Sequence, residues 1–97
     1  MSTTRHFRTS DGGFTIVYDP NDLEYGYSFC SMKDQFSRKL GRRIAQERLD
    51  TGSEYPEVVD YRESDVSNIL QDILRKNLAP DFARDDVKMA IFMEWMK

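Results

Sequence analysis

The chain has 97 residues, of which 39% are hydrophobic and 32% are charged, and its formal net charge is −3. This length fits one domain with a modest core, and the composition excludes an intrinsically disordered chain. No apolar run approaches the roughly 18 to 20 residues of a membrane-spanning helix, and the polar N-terminus predicts no secretion signal.

The first third of the chain has the pattern of antiparallel strands. Residues 14–18 read Phe-Thr-Ile-Val-Tyr, in which larger side chains recur with the period of two that is typical of a strand. Turn-forming sequences flank this run at residues 11–13 and 19–22. A partner strand is therefore expected on each side, and we predict a three-stranded meander over residues 1–30.

The aromatic residues of this meander allow two interpretations. Tyr25, Tyr27 and Phe29 alternate along the third strand and therefore share one face. Such a face most often packs on helices, and this is the arrangement that we expect. Together with Tyr18, the same rings could instead form a stacking platform for single-stranded nucleic acid.

Residues 31–49 form the first predicted helix. Ser31 is its predicted N-cap, and Asp34 follows three residues later, as in a capping box. Gly41 lies in mid-helix, where glycine costs about 1 kcal/mol relative to alanine. One reason for a glycine at this position is the close approach of another backbone. An apolar residue recurs at every fourth position in a stripe expected to pack on the sheet: Met32, Phe36, Leu40 and Ile44.

This helix is also the basic part of the chain. At 100° per residue, six polar side chains form one arc beside the apolar stripe: Gln35, Arg38, Lys39, Arg42, Arg43 and Gln46. Two i,i+4 pairs of like charge destabilise an isolated helix, which indicates an anionic partner. Arginine and glutamine reach phosphates and base edges, but the isoelectric point of about 5.1 is low for a nucleic-acid-binding domain.

The partner that we expect for this arc is therefore an acidic protein surface or nucleic acid. Two alternatives need no external partner: the cations could pair with acidic segments of the same fold or of a second subunit, or they could simply be solvated. The nearest acidic segment is residues 50–65, which we predict to be a loop with one edge strand near Val58.

Ser64 is the predicted N-cap of a second helix that ends at Asn77 and Pro80. Its apolar side chains have amphipathic spacing. The predicted core combines three of them with the stripe of the first helix: Phe36, Leu40, Ile44, Ile69, Leu70 and Ile73.

The last helix is expected from about Phe82 or Asp86 to the C-terminus, and it is apolar on nearly all sides. It either threads through the core of the monomer or contacts a second copy, because soluble monomers mostly avoid large exposed apolar patches. We predict a homodimer or higher homo-oligomer, whose interface contains Ile91, Phe92, Trp95 and Met96.

No catalytic or metal-binding motif is recognisable. Cys30 and His6 are the only cysteine and histidine, so no internal disulfide forms. We expect a small buried thiol and an exposed strand residue, respectively. Asp85 and Asp86 complement the dipole of a helix start rather than a metal. We therefore predict no catalytic residues, no metal and no cofactor, and the remaining alternative is an enzyme whose paired carboxylates only a structure would reveal.

Residues 30–45 read Cys-Ser-Met-Lys-Asp-Gln-Phe-Ser-Arg-Lys-Leu-Gly-Arg-Arg-Ile-Ala. This segment resembles one found in small uncharacterised bacteriophage-encoded proteins, in which a strand is followed by a Lys-Asp-x-Phe helix start and then by Gly-Arg-x-Ile-Ala. The resemblance implies a viral or prophage origin and brings no catalytic residues with it. If it holds, the expected location is the cytoplasm of the host cell.

Together these patterns predict a single α+β domain over residues 1–97, in which a three-stranded antiparallel sheet is followed by three helices and the first helix packs on the sheet. The predicted function is that of a small, cytoplasmic, non-catalytic interaction or regulatory protein, which binds a partner macromolecule through the basic face of the first helix and binds no membrane. The alternative is a nucleic-acid-binding protein that uses the same face with the sheet aromatics. The predicted segments are 1–30 (strands), 31–49 (basic helix), 50–65 (acidic loop) and 65–97 (two helices).

Overall fold

Three antiparallel strands precede three helices, as predicted. The computed structural model describes residues 2–9, 12–31 and 37–96. The strands are β1 (Thr3–Thr9), β2 (Gly12–Tyr18) and β3 (Tyr25–Ser31); the helices are α1 (Arg38–Gly52), α2 (Asp65–Arg75) and α3 (Arg84–Trp95), and a short 3₁₀ turn at Asp81–Ala83 precedes α3. No helix in these ranges is both long enough and apolar enough to cross a bilayer.

The sheet has the order β1-β2-β3, so β2 is its central strand. The register places Phe7 beside Phe14 and Phe14 beside Phe29 on one face, while Thr15 lies beside Ser28 on the other. All residues of β2 from Gly13 to Tyr18 are buried. Because successive side chains of a strand point to opposite faces, this burial requires cover on both sides of the sheet.

Helices α2 and α3 cover the face that carries the aromatic residues. Ile69, Leu70 and Ile73 of α2 are fully buried in the same apolar cluster as Phe14 and Tyr25, which confirms these three predicted core positions. The packing interpretation of the aromatics is also confirmed, because Tyr18 and Tyr25 are buried, and Tyr27 and Phe29 are partly buried against the same apolar cluster. They form no open stacking platform.

Helix α1 covers the opposite face at very short range. A Cβ atom placed on Gly26 of β3 would lie 2.0 Å from the carbonyl oxygen of Ala45 and 2.5 Å from the backbone nitrogen of Leu49. A Cβ atom on Gly41 would lie 2.7 Å from Oγ1 of Thr15. The backbone of the helix thus approaches β3 at Gly26, whereas a side chain fills the space at Gly41. Our attribution of Gly41 to backbone approach was wrong.

The predicted orientation of α1 was wrong for the same reason. Its buried residues are Gly41 and Ala45, so Leu40 and Ile44, each one position earlier and 100° around the helix, lie at its side. Leu40 is 46% exposed and Ile44 is half-buried. Neither is the core anchor that we predicted, because close backbone approach selects the smallest side chains for the inward face. Phe36 and Met32 lie outside the described residues.

The start of α1 also differs from the prediction. Ser37 is the N-cap, and its Oγ accepts a hydrogen bond from the Leu40 N–H at 3.2 Å. Ser31, which we expected to cap the helix, is the last residue of β3. The predicted capping partner Asp34 lies outside the described residues. The predicted cap of α2 is confirmed, since Oγ of Ser64 accepts from the Ser67 N–H at 3.0 Å.

The acidic segment 50–65 runs along the outer edge of β3. Glu54 forms a single antiparallel bridge with Tyr25, with hydrogen bonds of 2.9 and 3.0 Å between their backbones. The predicted edge strand near Val58 is absent from the described residues, where Val58 is an exposed bend. This outer edge of the sheet is therefore closed at one point.

Candidate interaction surface

The cations predicted to bind a partner lie on the outer side of α1. Arg38, Lys39, Arg42 and Arg43 are all exposed, and Gln46 at the end of the arc is half-buried. Gln35 lies outside the described residues. The helical spacing alone was therefore sufficient to bring these four cations onto one solvent-facing surface, which we call the basic face and define as Arg38, Lys39, Arg42 and Arg43.

Within the described part of the chain, none of these four side chains forms an ion pair. Two carboxylates of the acidic segment have other partners: Glu54 pairs with Lys76 at 3.1 Å, and Asp60 pairs with Arg62 at 3.0 Å. The interpretation in which this segment neutralises the first helix is thus wrong for the described residues. The segment passes the β3 edge, whereas the cations face the other side of the helix, toward β1.

A groove separates the basic face from β1. Helix α1 packs mainly on β3 and β2, which leaves the same face of β1 only partly covered. The groove has a volume of about 490 Å³, and its lining includes Thr4 of β1 together with Lys39, Arg42 and Arg43 of α1. Three cations against the single carboxylate of Glu47 give the lining a positive balance, because Ser2 and Thr4 contribute neutral hydroxyl groups.

His6 lies on the same face of β1, half-buried rather than exposed as we predicted. Its Nδ1 lies 2.9 Å from Oγ1 of Thr15. Burial lowers the pKa of His6, and the positive charges of Arg38 and Arg42 lower it further. A pKa below the ordinary value of 6.5 leaves the imidazole neutral at pH 7. The positive charge of this surface therefore belongs to the arginine and lysine side chains and not to His6.

Helix α3 carries a second, apolar surface. Val87, Ala90 and Ile91 face the core, while a set of large side chains on the other side is exposed. Ile91 is only 8% exposed and belongs to the hydrophobic core, so its assignment to an oligomer interface was wrong. The exposed apolar residues of this helix and its C-cap are Met89, Phe92, Met93, Trp95 and Met96.

A buried charge lies on the opposite side of the molecule, at the contact between α2 and β3. Asp72 has no exposed surface, and its carboxylate accepts hydrogen bonds from the Tyr25 hydroxyl at 2.6 Å, the Lys76 ammonium at 2.9 Å and the Glu57 N–H at 3.1 Å. Burial and the hydrogen bond to Asp72 raise the pKa of Tyr25. Because the carboxylate is buried and accepts three hydrogen bonds, we assign it a structural role, in which it anchors the segment around Glu57 to the core. Sequence reasoning missed it, although an acid between Ile69 and Ile73 was a usable signal.

No group of three or more His, Cys, Asp and Glu residues in the described ranges could hold a metal ion. Cys30 is half-buried rather than buried, and its thiol donates to the carbonyl oxygen of Ser31 at 3.6 Å. No family model, no curated protein and no solved structure matches the chain. The resemblance of residues 30–45 to phage-encoded proteins stays a prediction.

Proposed function

We propose that this protein is a non-catalytic interaction protein that binds an acidic protein surface through the basic face of α1. One observation carries the proposal: four exposed cations form no ion pair within the described residues, although the chain as a whole has more acidic than basic residues. Like charges at i,i+4 spacing are mildly unfavourable in a helix. An acidic partner relieves this repulsion.

Two features favour a protein partner over nucleic acid. The four cations of the basic face lie on one helix of a chain whose net charge is −3. An extended polyanion that reaches beyond this helix therefore meets a surface that is acidic on balance. Each repulsion between a bound anion and the acidic residues of this surface reaches about 8 Å at physiological ionic strength. A compact acidic patch on a protein can contact the basic face without approaching most of those acidic residues. In addition, Tyr18 and Tyr25 are buried, and Tyr27 and Phe29 are packed in part against the core, so these four rings form no open stacking surface for bases.

We expect the double substitution Arg38→Glu with Arg42→Glu to abolish binding and leave the fold intact. The probes are fluorescein-labelled polyglutamate, duplex DNA, single-stranded DNA and RNA, each titrated at low and at physiological salt. Polyglutamate should bind the unchanged protein, more weakly at the higher salt concentration, and the variant should lose at least about tenfold in affinity, since reversing two charges removes two attractions and adds two repulsions.

The matched control reverses two exposed cations elsewhere, Arg62→Glu with Lys88→Glu, and should keep the affinity for polyglutamate. Circular dichroism and thermal melting check the fold of both variants. A melting temperature lowered by several degrees for the Arg38 and Arg42 variant would assign these arginines a structural role. Tight binding of DNA or RNA with a steep salt dependence, and none of polyglutamate, would replace the proposal with the nucleic-acid alternative.

We also propose that two copies associate through Phe92, Trp95 and Met96 of the C-terminal helix. These large side chains are more than half exposed, and a twofold contact buries such a surface against its own copy. Sedimentation velocity over a hundredfold range of concentration should show a dimer at the upper end. Phe92→Asp and Trp95→Asp should shift it to the monomer, whereas Tyr61→Asp, at an exposed aromatic in a loop, should not. Monomer mass throughout would rule the association out.

A further inference from the structure

The two edge strands of the sheet differ in their backbone pairing on the outer side. The backbone of β3 is bridged on its outer side by Glu54, but β1 has no strand neighbour on its outer side in the described residues. β1 is also seven residues long. An unpaired edge of this length presents a row of backbone donors and acceptors that an extended segment of another chain can pair with.

A groove accompanies this edge on each face of the sheet. On one face lies the groove lined by Lys39, Arg42 and Arg43. On the other, a groove of about 590 Å³ runs between β1 and α3. Its lining combines the apolar side chains of Phe7, Met89 and Met93 with charged residues, namely Arg5 and Arg8 of β1 and Asp85, Asp86 and Glu94 of α3. Helix α3 runs antiparallel to β1, as hydrogen bonds show at both ends: Arg5 donates to Glu94 at 2.8 Å, and Thr9 donates to Asp86 at 3.0 Å. This groove therefore follows most of the strand, with Met89 and Met93 between its charged ends.

The two grooves differ in the side chains that they accept. Successive residues of a strand point to opposite faces, so an added strand would direct every second side chain toward the cations of α1 and the others toward Met89 and Met93. We propose that the outer edge of β1 binds an extended acidic segment of a partner protein as a fourth strand, with acidic side chains alternating with apolar ones. This inference rests on the proposed function and specifies how the acidic partner is held.

Charge argues against a second copy of β1 as the added strand. β1 carries Arg8 on the face that α1 covers, so pairing with another β1 would add cations to those of α1, and like charges across strands are destabilising. The acidic side chains of the proposed strand would meet these cations with opposite charge. The edge is also separate from the proposed dimer contact, because Met89 and Met93 line the groove beside β1 while Phe92 and Trp95 do not.

The test uses a blocked, fluorescein-labelled peptide of alternating glutamate and valine, as long as β1, with the full-length protein. It should bind with at least about tenfold higher affinity than a peptide of the same composition with its glutamates and valines in two blocks, and the alternating lysine-valine peptide should not bind. Backbone pairing is tested by N-methylation at all glutamates or at all valines. Alternate N–H groups of a strand point to opposite edges, so one of these two peptides should lose binding and the other should retain it.

Variants of the protein separate the two grooves. Lys39→Gln with Arg43→Gln should lower the affinity for the alternating peptide at least about fivefold, and so should Met93→Ser, whereas the control Arg62→Gln with Lys88→Gln should not. Amide resonances of β1 should shift on binding and become protected from hydrogen exchange. Equal binding of the block peptide and of both methylated peptides would overturn strand addition while leaving the basic face as the binding surface. If polyglutamate also fails to bind, the proposed function fails with it. A peptide-independent dimer joined through β1 would replace the partner strand with a second copy.

Discussion

Replacing Gly26 with alanine is expected to lower the free energy of unfolding by about 3 kcal/mol, the upper range for overpacking a core. The added Cβ would lie 2.0 Å from the carbonyl oxygen of Ala45, and both atoms of this clash are anchored in backbone. No side-chain rotation can relieve it. The helix must therefore move away from β3, which opens the contact that buries Gly41 and Ala45.

Chemical denaturation of Gly26→Ala measures this effect, and Gly52→Ala is its matched control. The same methyl group on Gly52 meets nothing within 4 Å and lies in the last turn of α1. There, alanine should stabilise the protein by about 0.5 to 1 kcal/mol, because glycine loses more conformational entropy in a helix. Equal stability of the two variants would show that α1 is not packed on β3 at the distance described.

The second large effect is expected at Asp72. Asp72→Ala should lower the free energy of unfolding by about 3 to 5 kcal/mol, the range for removing one partner of a buried charge pair. The substitution leaves the Tyr25 hydroxyl, the Lys76 ammonium and the Glu57 N–H without their common acceptor. Since a domain of this size has a total stability of about 5 to 15 kcal/mol, this loss would be a large fraction of the total.

Tyr25→Phe is the graded control, because it removes only one of the three donors and should cost about 1.5 to 3 kcal/mol, the range for a hydrogen bond to a charged group. It also supplies a pH test. Burial and the bond to Asp72 raise the pKa of Tyr25 above 10 in the folded protein, so the phenol stabilises the fold below pH 10 and this stability is lost as the pH rises further. The phenylalanine variant should show a shallower loss above pH 10. If Asp72→Ala lowers the free energy of unfolding as much in the Tyr25→Phe variant as in the unchanged protein, the two groups are not coupled.

The parts of the fold that were predictable depend on signals close together in the chain. The strands followed from alternation at residues 14–18, and the start of α2 followed from Ser64 before an amphipathic run. The orientation of α1 was not predictable in this way. Its inward face is selected by Gly26, a residue of another element, which admits the helix backbone where a larger residue would hold it off. Leu40 was predicted to be a core residue because it belongs to a regular apolar stripe. The stripe contains no information about the surface on which the helix packs.

The candidate interaction surface was also predictable only in part. The four exposed cations of α1 were predictable, because helical spacing alone brings them together. The groove beside them was not, since it depends on β1 being an edge strand that α1 leaves uncovered. Ile91 was assigned to an interface because the sequence of α3 is apolar on all sides, and only the position of α2 and the sheet decides which side is buried.

The small inward face of α1 also determines how the protein unfolds locally. The helix that carries the basic face buries only Gly41 and Ala45, whereas α2 buries Val66, Ile69, Leu70 and Ile73. Stabilisation by burial scales with the apolar area that leaves water, so α1 is held by less of it and should open in excursions that leave the sheet and the other two helices folded. The proposed partner of α1 would suppress these openings, so the helix would be more rigid in the complex than in the isolated chain.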